Sequence, residues 1–276
     1  MKKFTIGYSP CPNDTFIFYA LAERKIEIPF ELDVLLADVE MLNRRAGQGA
    51  LDISKISVNA ALSIMDKYWL LRSGGAMGRG CGPVIVARRP ARLRDLREAT
   101  IATPGDLTTA SLLLRLEGTH RGRRAPMQFD RIIPAVLAGE VDAGVIIHEG
   151  RWTYQAYGLH MVLDLGRWWE EQTGLVLPLG AIAIRRDLGG EIAGVVEEKI
   201  RESLLYARKH PDLPWPYMVR HAQEMTPEVI RLHIDTFVNE FSINAGPEGE
   251  KALRSLLEAA CAMEKRPFPA LELFWS

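Results

Sequence analysis

The sequence predicts an α/β fold in which two related lobes meet at a hinge. Short apolar segments of strand length alternate with segments whose apolar residues recur at helical spacing. The same alternation starts again near residue 90, and two pairs of short segments resemble each other along the chain. Alternating strands and helices are typical of mainly parallel sheets, so we expect such a sheet in each lobe.

The first third of the chain supplies most of the strands expected in the first lobe. Asn13 or Asp14 can cap the first helix, and Ser57 can cap the helix after the third strand. The predicted strands are 3–8, 30–37, 51–55, 69–73 and 83–88, and the predicted helices are 15–24, 39–47 and 58–68.

The second lobe repeats this order and is followed by a largely helical segment. The predicted strands are 100–103, 141–147, 161–165 and 180–184, and helices are predicted at 108–116 and 131–138, with a basic loop at 121–124. After Asp187 we expect helices at 192–209, 216–224, 227–241 and 248–265.

Two internal similarities suggest where the lobes divide. GALDIS at 49–54 resembles GEVDAG at 139–144, although an ordinary helix–turn–strand junction would give the same pattern. VIVARR at 84–89 resembles AIAIRR at 181–186, and we interpret these as paired hinge strands that permit the cleft to close. The prediction is a first lobe of residues 1–89 plus 180–276 and an inserted lobe of 90–179. Ligands of open α/β sheets bind at strand ends, which would face a cleft between the lobes.

Composition excludes several classes of protein. The 276 residues are 47% hydrophobic and 25% charged, which is typical of a globular chain and excludes disorder. The net charge of −1, without long Lys/Arg runs, disfavours nucleic-acid and anionic-membrane partners. Three widely spaced cysteines indicate neither a disulfide framework nor a zinc knuckle. The apolar stretch at 4–8 is too short for a signal peptide, and no apolar run is long enough for a membrane span, so we expect a soluble cytoplasmic protein.

His148 is the candidate catalytic base. It follows the apolar run GVII at 144–147, so it lies at the end of a strand, where side chains point into the expected cleft. Imidazole titrates near neutral pH and can accept a substrate proton there. The alternative is a histidine that hydrogen-bonds a loop. The other histidines show no ligand spacing, so no metal is expected.

Hydroxyl-bearing helix starts are candidate sites for an anionic group. Thr108 and Thr109 open one helix and Ser57 opens another, and the N–H groups of a helix N-terminus attract a carboxylate or phosphate. Simple N-capping is the alternative at each position. Lys55 would be a counter-ion for a carboxylate or, alternatively, a solvated charge.

The glycine-rich segment at 74–82 is not a phosphate-binding loop. It lacks the Gly-x-Gly-x-x-Gly order, and a strand follows it instead of a helix. We expect it to allow close backbone packing near the hinge. Cys11 has no indicated partner base and is interpreted as structural, and Asn13 and Asp14 are weak site candidates beside it.

Several motifs resemble one enzyme family along essentially the whole chain. They are SPCPNDTFIF at 9–18, RSGGA at 72–76, IHE at 147–149, and DLG at 164–166 followed by WWEE at 168–171. Together they resemble the 1,4-dihydroxy-6-naphthoate synthases of the futalosine route to menaquinone. The resemblance implies a two-lobed fold like that of type 2 periplasmic binding proteins, and a cofactor-independent carbon–carbon lyase. The implied substrate is a small-molecule carboxylate, cyclic dehypoxanthine futalosine.

The resemblance also implies roles for individual residues. The base of the family matches His148, and its substrate-binding segments match Lys55, Ile56 and Ser57 and the pair Thr108 and Thr109. Two alternatives stay open: the related chorismate dehydratase of the same pathway, and a non-catalytic protein that binds an anionic small molecule.

Overall fold

Strands and helices alternate through much of the chain, and the computed structural model describes them over residues 2–222 and 226–275. The strands are β1 (Lys2–Tyr8), β2 (Phe30–Leu36), β3 (Ile53–Ser57), β4 (Tyr68–Gly78), β5 (Val84–Ala87), β6 (Ile101–Thr103), β7 (Arg124–Pro126), β8 (Ala143–Ile146), β9 (His160–Asp164) and β10 (Leu177–Arg185). The helices are α1 (Pro12–Ala22), α2 (Val39–Gly47), α3 (Val58–Ala61), α4 (Thr109–Glu117), α5 (Phe129–Ala138), α6 (Gly150–Thr153), α7 (Leu165–Thr173), α8 (Gly190–Lys209), α9 (Trp215–His221), α10 (Pro227–Phe237), α11 (Glu240–Ile243) and α12 (Gly246–Met263).

The strands form two five-stranded sheets of the same design. The first has the order β2-β1-β3-β10-β4, and the second has the order β7-β6-β8-β5-β9. In the first sheet β1 is parallel to β2 and β3, whereas β10 is antiparallel to β3 and β4. In the second sheet β6 is parallel to β7 and β8, whereas β5 is antiparallel to β8 and β9. The prediction of mainly parallel sheets is wrong for β5 and β10, because an apolar run indicates a buried strand but not its direction.

Both internal similarities fall on equivalent strands of the two sheets. The segments at 49–54 and 139–144 lead into β3 and β8, which are third in the two orders. The segment at 84–89 contains β5 and the segment at 181–186 covers the second half of β10, and these two strands are fourth. β5 and β10 lie in different sheets, and each hydrogen-bonds only within its own sheet among the described strands. Their role as hinge strands stays a prediction. The chain passes from the first sheet to the second through residues 79–83 and returns to the first through residues 165–176. The predicted boundary at 89/90 therefore follows β5, and the boundary at 179/180 falls inside β10.

Several predicted elements differ from those observed. The helix expected at 58–68 is the single turn α3, after which turns lead to β4, and α6 and α7 lie where the sequence analysis predicts no helix. The helix expected at 227–241 is interrupted after α10, where the Asn239 side chain accepts a hydrogen bond from the Phe241 N–H and begins α11. The helix expected at 216–224 ends earlier, with α9, and Glu224 lies outside the described residues.

The glycine-rich segment permits a close backbone approach where the chain passes between the sheets. A Cβ atom on Gly82 would lie 2.2 Å from the Gly166 Cα, so only glycine fits at this crossing. This agrees with the packing role predicted for the segment. Nearby, one apolar cluster of buried side chains draws on both sheets and on α4 and α12, including Ile56, Ile85 and Leu113. Within the described residues, the helices include none with the length and apolar character that a membrane span requires.

Candidate active site

A cavity with about 710 Å³ of space, part of it open to solvent, lies between residues of the two sheets. Residues that follow β1 and residues at the end of β3 line it from the first sheet, and residues that follow β6 and β8 line it from the second. The structure brings together on this cavity all six residues singled out from the sequence, which are Lys55, Ile56, Ser57, Thr108, Thr109 and His148. Asn13 and Asp14, the weaker candidates, also line it.

His148 occupies a strained position just beyond β8. Its φ angle is 54°, in the left-handed region that non-glycine residues rarely adopt. Such strain costs about 1–3 kcal/mol and is concentrated at functional sites. The only hydrogen-bond contacts of its ring nitrogens to the described residues are to the Cys11 sulfur, at 3.7 Å from Nδ1 and 3.9 Å from Nε2. These nearly equal distances do not select one tautomer, so a ring nitrogen is available to a ligand.

A second imidazole, that of His233 on α10, lies beside His148. The ring centroids are 5.9 Å apart and the planes differ by 17°. His233 is fully buried, lines the cavity and packs against Trp152 and Phe237. Burial lowers the pKa of His233 well below its ordinary value, and the nearby charges of His148 and Lys55 act in the same direction. The ring is therefore neutral at physiological pH, with one N–H donor and one acceptor.

Cys11, His148 and His233 are the described side chains that could together hold a metal ion. Their ligand-type atoms all lie within 4.8 Å of one another. Thiolate and imidazole are the ligands that zinc prefers. Burial raises the pKa of the Cys11 thiol, however, so the sulfur stays protonated in this environment. No sequence pattern indicates this cluster, because its members come from three distant segments.

Lys55 forms a buried ion pair. Its Nζ atom donates to Asp14 Oδ1 at 2.7 Å and to the Gly74 carbonyl at 3.0 Å. Asp14 also accepts hydrogen bonds from the hydroxyl of Ser9 and from the side chain of Asn13. The Lys55 ammonium is therefore buried and already paired with a carboxylate of the protein, so the predicted alternative of a solvated charge is wrong. One of its three N–H donors is still available to the cavity.

Ser57 presents a hydroxyl whose proton has no acceptor among the described residues. Its Oγ accepts from the Asn43 side chain at 3.1 Å, and its backbone N–H donates to the same amide at 2.8 Å. The predicted N-capping hydrogen bond is not made by its side chain. Ile56 and Ser57 pair with Ala181 and Gly180 of β10, which fixes this end of β3 against the cavity.

The hydroxyls of Thr108 and Thr109, at the start of α4, are both engaged within the protein, and Thr108 makes the N-capping hydrogen bond that was the predicted alternative. Thr108 caps the helix, accepting from the Ser111 N–H and donating to the Gly105 carbonyl. The Thr109 hydroxyl donates to the Leu179 carbonyl at 2.7 Å and is therefore engaged within the protein. The first N–H groups of the helix, on Thr109 and Ala110, have no acceptor among the described residues, and both residues line the cavity.

Glu40 connects α2 with the loop before α4. Its carboxylate accepts from the Leu107 N–H at 3.2 Å. Burial raises the pKa of Glu40 above its ordinary value, although hydrogen bonds from Leu107, Asn43 and Arg44 oppose the shift. Beside it, the Asn59 side chain donates to the carbonyls of residues 106 and 108. These contacts join elements of the two sheets at the edge of the cavity.

Sequence reasoning missed His233 and Arg151 as lining residues. His233 lies at helical spacing with the apolar residues of α10, so its sequence pattern resembles a core position. Arg151 donates to the Gly82 carbonyl and to Asp164, each at 2.7 Å, and is held by these partners at the cavity wall. No local signal distinguishes either residue from an ordinary helix residue.

Comparison with known proteins places the chain in a family. The model of a family described as menaquinone biosynthesis matches residues 4–262. Two curated proteins named 1,4-dihydroxy-6-naphthoate synthase are similar. The one from Thermus thermophilus is 50% identical over 94% of each chain. The one from Streptomyces coelicolor is 45% identical over 93% of this chain and 92% of its own.

Solved structures show the same fold. Protein AF1704 from Archaeoglobus fulgidus has a TM-score of 0.90 at 39% identity, with 95% of this chain and 98% of that one covered. The periplasmic aliphatic sulphonate binding protein SsuA from Escherichia coli has a TM-score of 0.67 at 14% identity, with 100% and 92% covered. This likeness confirms the predicted periplasmic-binding-protein-like fold. With a family model and two relatives matching nearly its whole length, the chain belongs to the menaquinone biosynthesis family.

Proposed function

We propose that this protein is a 1,4-dihydroxy-6-naphthoate synthase, a carbon–carbon lyase that forms this naphthoate from cyclic dehypoxanthine futalosine in menaquinone biosynthesis. The names of the two curated relatives, at 50% and 45% identity, support the activity. The observation that carries the mechanism is the position of His148. A strained histidine with available ring nitrogens lies on a cavity that both sheets line.

The substrate carboxylate binds between the two sheets in this proposal. The N–H groups of Thr109 and Ala110 and the positive end of the α4 dipole attract it from one side. The Ser57 hydroxyl and the third N–H of Lys55 donate from the other side, next to the backbone of Ile56. Thr108 contributes by capping α4, which keeps its first turn in place.

His148 acts as the general base. It accepts the substrate proton whose removal starts the carbon–carbon cleavage, and the aromatic product supplies driving force. Closure of the cleft would exclude water, which strengthens every electrostatic interaction within it. Proton transfer and positioning are sufficient for this chemistry, so the proposal includes no cofactor.

The cleft closes by movement of two lobes in this proposal. We propose one lobe on each sheet, with crossings at 79–83 and 165–176 in place of the boundaries at 89/90 and 179/180 of the predicted partition into 1–89 plus 180–276 and 90–179, so that β5 belongs to the inserted lobe and β10 to the first. The contacts of Glu40 and Asn59 with the loop before α4 lie where such lobes would meet. The cytoplasm, with its reduced thiols, is the compartment that we propose for the enzyme. All three cysteines are free.

Product analysis tests the activity directly. Purified protein is incubated with cyclic dehypoxanthine futalosine in metal-free buffer, and the products are identified by mass. We expect 1,4-dihydroxy-6-naphthoate. Recovery of unchanged compound bound to the protein would instead indicate a binding protein, and loss of water from chorismate in a parallel incubation would indicate chorismate dehydratase.

A further inference from the structure

Both ring nitrogens of His233 are buried and have no hydrogen-bond partner in the part of the chain that the structure describes. The residue is 0% exposed, and neither Nδ1 nor Nε2 has a hydrogen-bond partner among the described residues. An unsatisfied buried donor or acceptor destabilises the folded state, because the group has given up its hydrogen bonds to water and gained none in return. Its ring neighbours Trp152 and Phe237 are aromatic, and an apolar side chain would avoid this cost at the same place. A group outside the protein that pairs with the ring would explain why a histidine stands here.

The cavity supplies the place for that group. His233 lines it together with His148, so a ligand in contact with one imidazole can reach the other. The titratable groups around the ring are His148, Lys55 and Cys11. Lys55 is engaged by Asp14, and the Cys11 sulfur lies against His148. His233 is therefore left with an N–H donor for the ligand.

We propose that His233 is a second catalytic residue, which donates a ring N–H hydrogen bond to the substrate oxygen that gains negative charge when His148 removes a proton. The inference rests on the proposed function and deepens it. The proton moves from the substrate to His148, and the electron pair that it leaves is delocalised onto that oxygen. His233 transfers neither proton nor electron. A neutral imidazole can act as an electrophile in this way, and a fixed donor in a water-poor site is worth about 10²–10³ in kcat.

Two variants separate hydrogen bonding from packing. His233→Phe keeps an aromatic ring but removes the donor, whereas His233→Gln keeps a side-chain N–H. We expect kcat to fall about 10²–10³-fold in the Phe variant with a smaller change in KM, and to recover at least in part in the Gln variant. Because the Phe variant no longer buries two unpaired nitrogens, we expect it to unfold at the same or a higher temperature than the wild type. A merely structural residue would show the opposite trend in stability.

The assay is turnover of cyclic dehypoxanthine futalosine, with thermal unfolding measured on the same samples. If the Phe variant does not fold, His233→Leu gives the same comparison. A kcat within threefold of the wild type, or a loss confined to KM, would overturn the inference. So would a wild-type enzyme that is inactive after chelation and restored by zinc, since His233 would then act as a metal ligand. A wild-type protein that never converts the compound would refute the proposed function itself, and this inference with it.

Discussion

Replacing His148 by asparagine removes the proposed base and leaves the backbone undisturbed. Asparagine tolerates the left-handed region, so a φ of 54° adds little strain in the variant. A positioned base contributes about 10²–10⁴-fold, which corresponds to about 2.7–5.4 kcal/mol of transition-state free energy at about 1.36 kcal/mol per factor of ten. We expect His148→Asn to lose this much in kcat.

Stability is expected to change far less than activity. The His148 ring makes no hydrogen bond to an oxygen or nitrogen of the described residues, so the folded state loses mainly the ring contacts with Phe129 and His233. Such aromatic pairs contribute about 0.5–1.5 kcal/mol. The assay is single-turnover formation of the naphthoate, with denaturant unfolding in parallel.

The matched control for this substitution is Lys265→Asn. Lys265 also has a positive φ, of 53°, but it lies beyond the end of α12 and does not line the cavity. We expect the control to keep wild-type turnover. The reasoning fails if His148→Asn turns over substrate within threefold of the wild type, or if both variants lose activity to the same extent.

Three further substitutions test the contacts around the cavity. Lys55→Met should lower the free energy of unfolding in urea by about 3–5 kcal/mol, because it leaves the buried Asp14 carboxylate without its cation. Adding Asp14→Asn should restore much of this stability. A single variant with unchanged stability would disprove the buried ion pair. Thr109→Val should lower the stability by about 1–3 kcal/mol, because it leaves the Leu179 carbonyl without its hydrogen bond. A loss of substrate affinity at unchanged stability would show instead that the Thr109 hydroxyl binds the ligand. Burial raises the pKa of Glu40, so the protonated carboxyl group stabilises the folded state. This stabilisation is complete below the pKa of Glu40 in the unfolded chain and is lost as the pH rises through its pKa in the folded protein. Glu40→Gln should therefore gain stability relative to the wild type as the pH rises from about 4 to about 7, measured as Tm, and a pH-independent difference would contradict this.

The sequence by itself determined the order of most elements and the location of much of the site. Apolar periodicity depends only on near neighbours along the chain, so it identified β1, α2 and β8 closely. Polar residues directly after apolar strands indicated the cavity end of β3 and β8. The family motifs added the activity and the fold, which no periodicity contains.

Only the tertiary structure decided how those elements face one another. The reversed directions of β5 and β10 depend on which strands they meet. The partner of Lys55 is 41 residues away and that of Thr109 is 70 residues away, so neither hydrogen bond has a local signal. The neutral imidazole of His233 belongs to a helix of ordinary amphipathic pattern, and packing alone brings it beside His148. Hydrogen bonding and burial are properties of such distant contacts, and they determine which of the candidate groups remains free for a ligand.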